Sequence, residues 1–220
     1  MIPASNLGLS RYEYAIRAIQ RIGDAPTSQT VFDVGCGDGR LREAVEGASF
    51  VWKGFDLKPA SAEIAQWDLQ ESCPAESRAA VVLLLDVIEH TANPGIVLAR
   101  LFAVLEPGGI LILTAPNPRW SRSRIHALFY GNPACFTQSD LDLNGHVFTS
   151  WPHVLERMLC DAGFEVMEFV TLDGRTTWPR APFTVKYPLR LVHAAANMLI
   201  ERCDPSACGM SLGVVARKPV

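Results

Sequence analysis

Apolar positions in this chain follow two rhythms. Short stretches rich in Val, Ile, Leu and Phe occur at Val31–Val34, Phe50–Asp56, Ala80–Leu85, Ile110–Thr114, Phe164–Val170 and Leu212–Arg217, all of strand length. Ala80–Leu85 is continuously apolar and predicts a parallel strand covered on both faces. Between them, apolar residues recur every three or four positions, the helical spacing. This predicts helices over 10–22, with Ser10 as N-cap, and from the glycine-rich stretch after Val34 to about Val45, stopped by Gly47. Further helices are predicted over 95–105, over 151–162 with Ser150 as cap and Gly163 as stop, and over about 185–202. Alternating strands and helices predict an α/β fold with a doubly wound sheet.

At 220 residues, of which 49% are hydrophobic, the chain supports one sizeable α/β domain over 1–220. A formal net charge of −3 gives no signal for nucleic acid. The cysteines at 36, 73, 135, 160, 203 and 208 include no C-x-x-C pair, which argues against a zinc site or disulfide framework. No basic-then-apolar leader and no apolar run of spanning length is present. The expectation is a cytoplasmic protein without a resident metal, as monomer or homodimer.

The chemistry centres on Val31-Phe32-Asp33-Val34-Gly35-Cys36-Gly37-Asp38-Gly39-Arg40, a strand running into a glycine-rich turn. Glycines let a ligand lie directly on the backbone at the carboxyl end of the strand. A dinucleotide fingerprint, G-x-G-x-x-G, wants its third glycine where Arg40 stands. Asp33 would repel a pyrophosphate and suits a cationic or zwitterionic ligand. Asp56 closes the second strand about 20 residues after Gly35, the distance at which nucleotide-binding folds place a ribose-binding carboxylate.

The stretch resembles motif I of the class I S-adenosylmethionine-dependent methyltransferases, an acidic residue followed by G-x-G-x-G. Asp86-Val87-Ile88-Glu89-His90, at the mouth of the third run, is similar to the D-V-x-E-H loop of the ubiquinone-biosynthesis type. Leu105-Glu106-Pro107-Gly108-Gly109 is similar to the turn before that family's next strand. The resemblance is good over residues 28–117 and loose over 146–217. It implies a Rossmann-like seven-stranded sheet in the order 3-2-1-4-5-7-6 with the last strand antiparallel. It implies S-adenosyl-L-methionine as cofactor, bordered by Asp33, Gly35, Cys36, Gly37, Gly39, Asp56, Leu57, Asp86 and Val87. Asp68 stands too close behind Asp56 for a full helix between them, so that helix is truncated or absent. Asp68 is then either the adenine-binding acid or an ordinary loop residue.

Methyl transfer to an oxygen or nitrogen of a small or medium acceptor, by in-line displacement, is the leading expectation. A nicotinamide-dependent oxidoreductase and a non-catalytic binding module are the alternatives. His146 and His90 are the candidate bases, since imidazole titrates near neutrality, although a histidine near a loop end also serves as a structural hydrogen-bonding group. Cover over the acceptor is expected from 1–22, 118–149 and 171–211. Within it, Arg119, Trp120, Arg122 and Arg124 suggest recognition of an anionic or lipid-linked acceptor, or else a solvated helix face. The 185–202 helix, flanked by Lys186, Arg190 and Arg202, suggests either peripheral membrane contact or a lid or dimer-contact helix.

Overall fold

The computed structural model describes residues 6–22, 28–75, 78–179 and 187–220. The predicted turn at 23–26 and Lys186 lie outside them. Seven strands form one sheet in the order β3-β2-β1-β4-β5-β7-β6. They are β1 (Thr30–Val34), β2 (Val51–Asp56), β3 (Ile64–Gln66), β4 (Ala79–Leu85), β5 (Leu105–Pro116), β6 (Glu165–Thr171) and β7 (Ser211–Arg217). Strands β3, β2, β1, β4 and β5 are parallel, while β7 runs antiparallel to both β5 and β6.

The helices are α1 (Arg11–Ile22), α2 (Arg42–Gly47), α3 (Pro94–Val104), α4 (Ser121–Tyr130), α5 (Gln138–Asn144), α6 (Pro152–Asp161) and α7 (Tyr187–Cys203). The core lies in two layers. Val82, Leu84, Leu111 and Leu113 pack against α3 and α6, through Val97, Leu98, Leu101, Leu155 and Leu159. Val31, Val81, Leu83 and Ile112 pack against α1 and α2, through Tyr14, Ile19 and Val45. Successive β4 residues point to opposite layers, which is why its sequence reads as an unbroken apolar run. Complete burial of each such Val or Leu contributes about 1.5–3 kcal/mol.

Besides the unpredicted helices α4 and α5, three local features differ from expectation. β3 has only three residues, two of them exposed, so no run announces it; it follows turns over 57–63 that contain no helix. β5 begins at Leu105 and absorbs the Pro107-Gly108-Gly109 turn. Ser150 does not cap α6: Trp151 holds the N-cap position without a side-chain bond, and Ser150 is buried. Ser10, by contrast, caps α1 reciprocally with Glu13, whose N–H donates to Ser10 Oγ at 3.3 Å while Ser10 N–H donates to Glu13 Oε2 at 2.8 Å.

The seat of α1 is set by a glycine on the sheet. A Cβ at Gly213 would lie 2.7 Å from the Tyr14 ring, so the missing side chain lets α1 settle directly on β7. The amino end of α1 then projects beyond the carboxyl end of β4.

Candidate active site

Beyond Val34 the chain turns through Gly35, Gly37 and Gly39, with φ of 72°, 59° and 75°. The N–H groups of Gly35 and Cys36 both donate to the Phe55 carbonyl, at 2.8 and 3.2 Å, stitching the turn onto β2. The three glycines are required for different reasons. A Cβ at Gly35 would stand 2.4 Å from Val87 Cγ2, and one at Gly39 would stand 3.2 Å from the Trp52 ring. A Cβ at Gly37 would meet nothing within 4 Å. Gly35 and Gly39 thus serve packing, while Gly37 presents bare backbone to open space.

Asp56 faces this turn. Its Oδ2 accepts the Gly37 N–H at 2.9 Å and its Oδ1 the Lys58 N–H at 2.9 Å. Each oxygen keeps a further acceptor site, enough for two vicinal hydroxyls. Leu57 follows with 54% of its surface exposed, a free apolar side chain beside that carboxylate. Asp68 is exposed just after β3 and accepts Gln70 N–H at 2.9 Å, so part of its capacity closes a local turn.

Asp33 is buried beneath the turn, where Trp52 Nε1–H donates to it at 3.0 Å. Burial, and then repulsion from Asp56, lift its carboxyl to about 6 against that hydrogen bond. The indole reaches Asp33 by crossing Gly54, whose Cβ would lie 2.3 Å from the ring. Asp33 therefore supports the turn from below and does not line the cavity above it.

That cavity, of about 840 Å³, opens over Gly35, Cys36 and Gly37 at the carboxyl ends of β1 and β4. This is the topological switch point, where the order reverses between β1 and β4 and α/β folds hold their ligands. Asp86 forms one wall at φ 53°, a left-handed conformation rare outside glycine. It is held by its N–H to the Thr114 carbonyl at 3.0 Å, by Thr114 Oγ1–H donating to Oδ1 at 2.6 Å, and by an ion pair with Arg11. Arg11 and Tyr12 come from the end of α1, with both Arg11 and Arg40 over the Tyr12 ring at 4.9 and 5.3 Å. Sequence reasoning assigned this helix to the cover without singling out either residue. The available signal was a polar Arg-Tyr pair at the start of an otherwise amphipathic helix.

Glu89, His90 and His146 also line the cavity and offer ligand atoms within 4.8 Å of one another, a donor set that can hold a divalent cation. The Glu89 carbonyl accepts the N–H groups of Val147 and Phe148 at 2.9 and 3.0 Å, which brings the 146–148 stretch against the 86–90 loop. The two imidazoles meet edge to face at 4.9 Å between centroids. His146 Nδ1 lies 2.6 Å from the Cys135 carbonyl. A carbonyl only accepts, so neutral His146 carries its proton on Nδ1 and keeps a free lone pair on Nε2. Burial, and then His146, lower the pKa of His90. Burial, reinforced by Asp86, pushes Glu89 up to about 8; its Oε2 has no hydrogen-bond partner among the described residues.

The arginine cluster lies elsewhere. Among the described residues, Arg119, Trp120, Arg122 and Arg124 are absent from the walls of this cavity. Arg124 pairs with Asp204 at 2.5 Å and donates to the Arg119 carbonyl at 2.8 Å. Arg122 stacks on Trp120 at 5.1 Å and borders a second cavity between α4 and α7. No helix of the described residues is long and apolar enough to cross a membrane.

A methyltransferase domain family model matches residues 9–168. The ubiquinone biosynthesis O-methyltransferase of Psychrobacter arcticus is 31% identical over 161 residues, which are 64% of this chain and 61% of that protein. The protein of the same name from Thiobacillus denitrificans is 31% identical over 166 residues, 68% of each chain. The chain thus spans about three-fifths of the length of the Psychrobacter relative. Among solved structures, a SAM dependent methyltransferase from Archaeoglobus fulgidus shares the fold with a TM-score of 0.61, 19% identity and 95% coverage of both chains. Phosphoethanolamine N-methyltransferase 2 of Haemonchus contortus, in complex with S-adenosyl-L-methionine, matches with a TM-score of 0.55 and 18% identity over 94% of this chain and 52% of its own.

Proposed function

The chain belongs to the methyltransferase domain family, and from that premise we propose that it transfers a methyl group from S-adenosyl-L-methionine to an oxygen of a small or medium acceptor. The observation that carries the reading is the cradle at the switch point: bare backbone at Gly37, the Asp56 carboxylate turned toward it, and free-standing Leu57 beside them. These features fit the cofactor. Asp56 would accept the ribose hydroxyls, Leu57 would pack on the adenine, Asp68 would meet the adenine edge, and Gly35, Cys36 and Gly37 would floor the amino-acid portion. Val87 closes against Gly35 and so fixes the turn. Asp86, paired with Arg11, forms one wall of the site, and buried Asp33 supports the turn beneath it.

Bound there, S-adenosyl-L-methionine supplies an electrophilic methyl group already activated by its sulfonium. The protein's part is alignment and exclusion of water, and alignment in near-attack geometry contributes roughly 7–11 kcal/mol. His146 is the base: the Cys135 carbonyl fixes its tautomer and leaves the Nε2 lone pair free, and its ring lines the cavity beside His90 and Glu89. It takes the proton of the acceptor hydroxyl as the oxygen attacks. His90 is a positioning residue, its ring packed edge to face against His146. Calorimetric titration with S-adenosylhomocysteine, followed by detection of that product with catechol-type and phenolic acceptors, tests the reading. Binding with turnover supports it; failure to bind S-adenosylhomocysteine overturns it.

A further inference from the structure

A second cavity of about 910 Å³ lies between α4 and α7, closed on one side by Thr176–Pro179, and shares no lining residue with the first. Its position is firmly built. Buried Glu201 of α7 accepts Ser121 Oγ–H at 2.8 Å from α4, Thr176 Oγ1–H at 2.6 Å and Thr176 N–H at 3.0 Å. One carboxylate thereby fixes all three walls.

The lining has a definite chemistry. Arg122 and Arg190 stand on opposite helices, with His126 and His193 beside them, and no described acidic residue lines the space. Neither arginine has an ion-pair partner among the described residues. Phe129, Tyr130 and Trp178 supply flat apolar walls, and all three are largely exposed although they face one concavity. At the base sits Asn197, 4% exposed, with no hydrogen-bond partner for its Oδ1 among the described residues. A buried amide oxygen without a partner is destabilising, and a ligand donor would satisfy it.

We propose that this cleft is a second ligand site, separate from the methyl-donor site, for a small organic anion: an aromatic or similarly flat body carrying one phosphate or carboxylate and a hydrogen-bond donor for Asn197. The two guanidiniums would fork the anionic group, Trp178 and Phe129 would hold the flat body, and Asn197 would read the donor.

The test is calorimetric titration of the full chain with 1-naphthyl phosphate, 1-naphthol and inorganic phosphate, repeated with S-adenosylhomocysteine at saturation. The expected result is saturable binding of 1-naphthyl phosphate that persists under saturation, with much weaker binding of the other two. Arg122→Gln and Arg190→Gln should each weaken it about tenfold or more, as for loss of a charge-assisted bond, and leave S-adenosylhomocysteine affinity unchanged. Equal binding of naphthol, indifference to both substitutions, or competition by S-adenosylhomocysteine overturns the proposal. Co-sedimentation with phosphatidylglycerol vesicles without affinity for 1-naphthyl phosphate also overturns it, in favour of a membrane-contacting face.

Discussion

Glu89 gives the sharpest handle on the site. It is 1% exposed, its Oε2 lacks a partner among the described residues, and burial followed by repulsion from Asp86 carries its carboxyl from an ordinary 4.5 to about 8. A carboxyl raised in the folded state holds a proton that the unfolded chain has lost. Its contribution to stability is therefore complete below about pH 4.5 and disappears as pH climbs through about 8. Each pH unit in that window costs the folded state about 1.4 kcal/mol, so full ionisation costs roughly 5 kcal/mol. Glu89→Gln keeps the shape of the protonated acid and cannot ionise. Urea denaturation of both proteins at about pH 5 and about pH 9 reads the effect directly. The variant should match the native chain at the acid end and exceed it by several kcal/mol at the alkaline end. Asp33, raised to about 6 for a similar reason, acts equally in both proteins and cancels in the difference. A stability difference that stays constant with pH would refute the placement of a buried, unpaired carboxyl at this position.

Three further outcomes are expected. His146→Gln should lower turnover by about 10²–10⁴ while S-adenosylhomocysteine affinity, read by calorimetry, stays at the native value; native turnover across the pH range removes His146 as base. Asp56→Ala should weaken S-adenosylhomocysteine binding by about tenfold to a hundredfold, and an unchanged dissociation constant would deny the ribose contact. Gly35→Ala should destabilise by about 2–4 kcal/mol, from the clash with Val87 added to left-handed backbone, whereas Gly37→Ala should cost about 1 kcal/mol and chiefly weaken cofactor binding. Equal denaturation midpoints for the two alanine variants would contradict their assigned surroundings.

The parts of the fold legible in the sequence were those where burial on both faces leaves a continuous run, as in β4, or where a helix has one clear apolar stripe, as in α1. β3 was not legible because a three-residue edge strand with two exposed side chains has no period to detect. α4 was hidden for a related reason: Leu128, Phe129 and Tyr130 are exposed, so its apolar residues do not mark an inward face. In the site, the glycine turn, Asp56 and the 86–90 loop could be located because strand ends occur at fixed chemical landmarks. Contacts made by distant segments could not. Arg11 meets Asp86 across 75 positions, and Arg124 is taken up by Asp204 across 80. Nothing local to three clustered arginines tells which of them a remote aspartate neutralises.

The insertion of β7 between β5 and β6 has a consequence during synthesis. Until Ser211–Arg217 has been made, β6 has no neighbour in the sheet, and β5 presents the unpaired edge Ile110–Pro116. That edge is apolar and long enough to template pairing with another chain. A nascent polypeptide halted after α7 would carry five parallel strands, a loose sixth and an open seam in the middle of the finished sheet. Of the seven strands, the one made last is thus the one that closes the seam, so slow translation or truncation just upstream of Ser211 should lead to aggregation rather than to a slightly shortened but folded sheet.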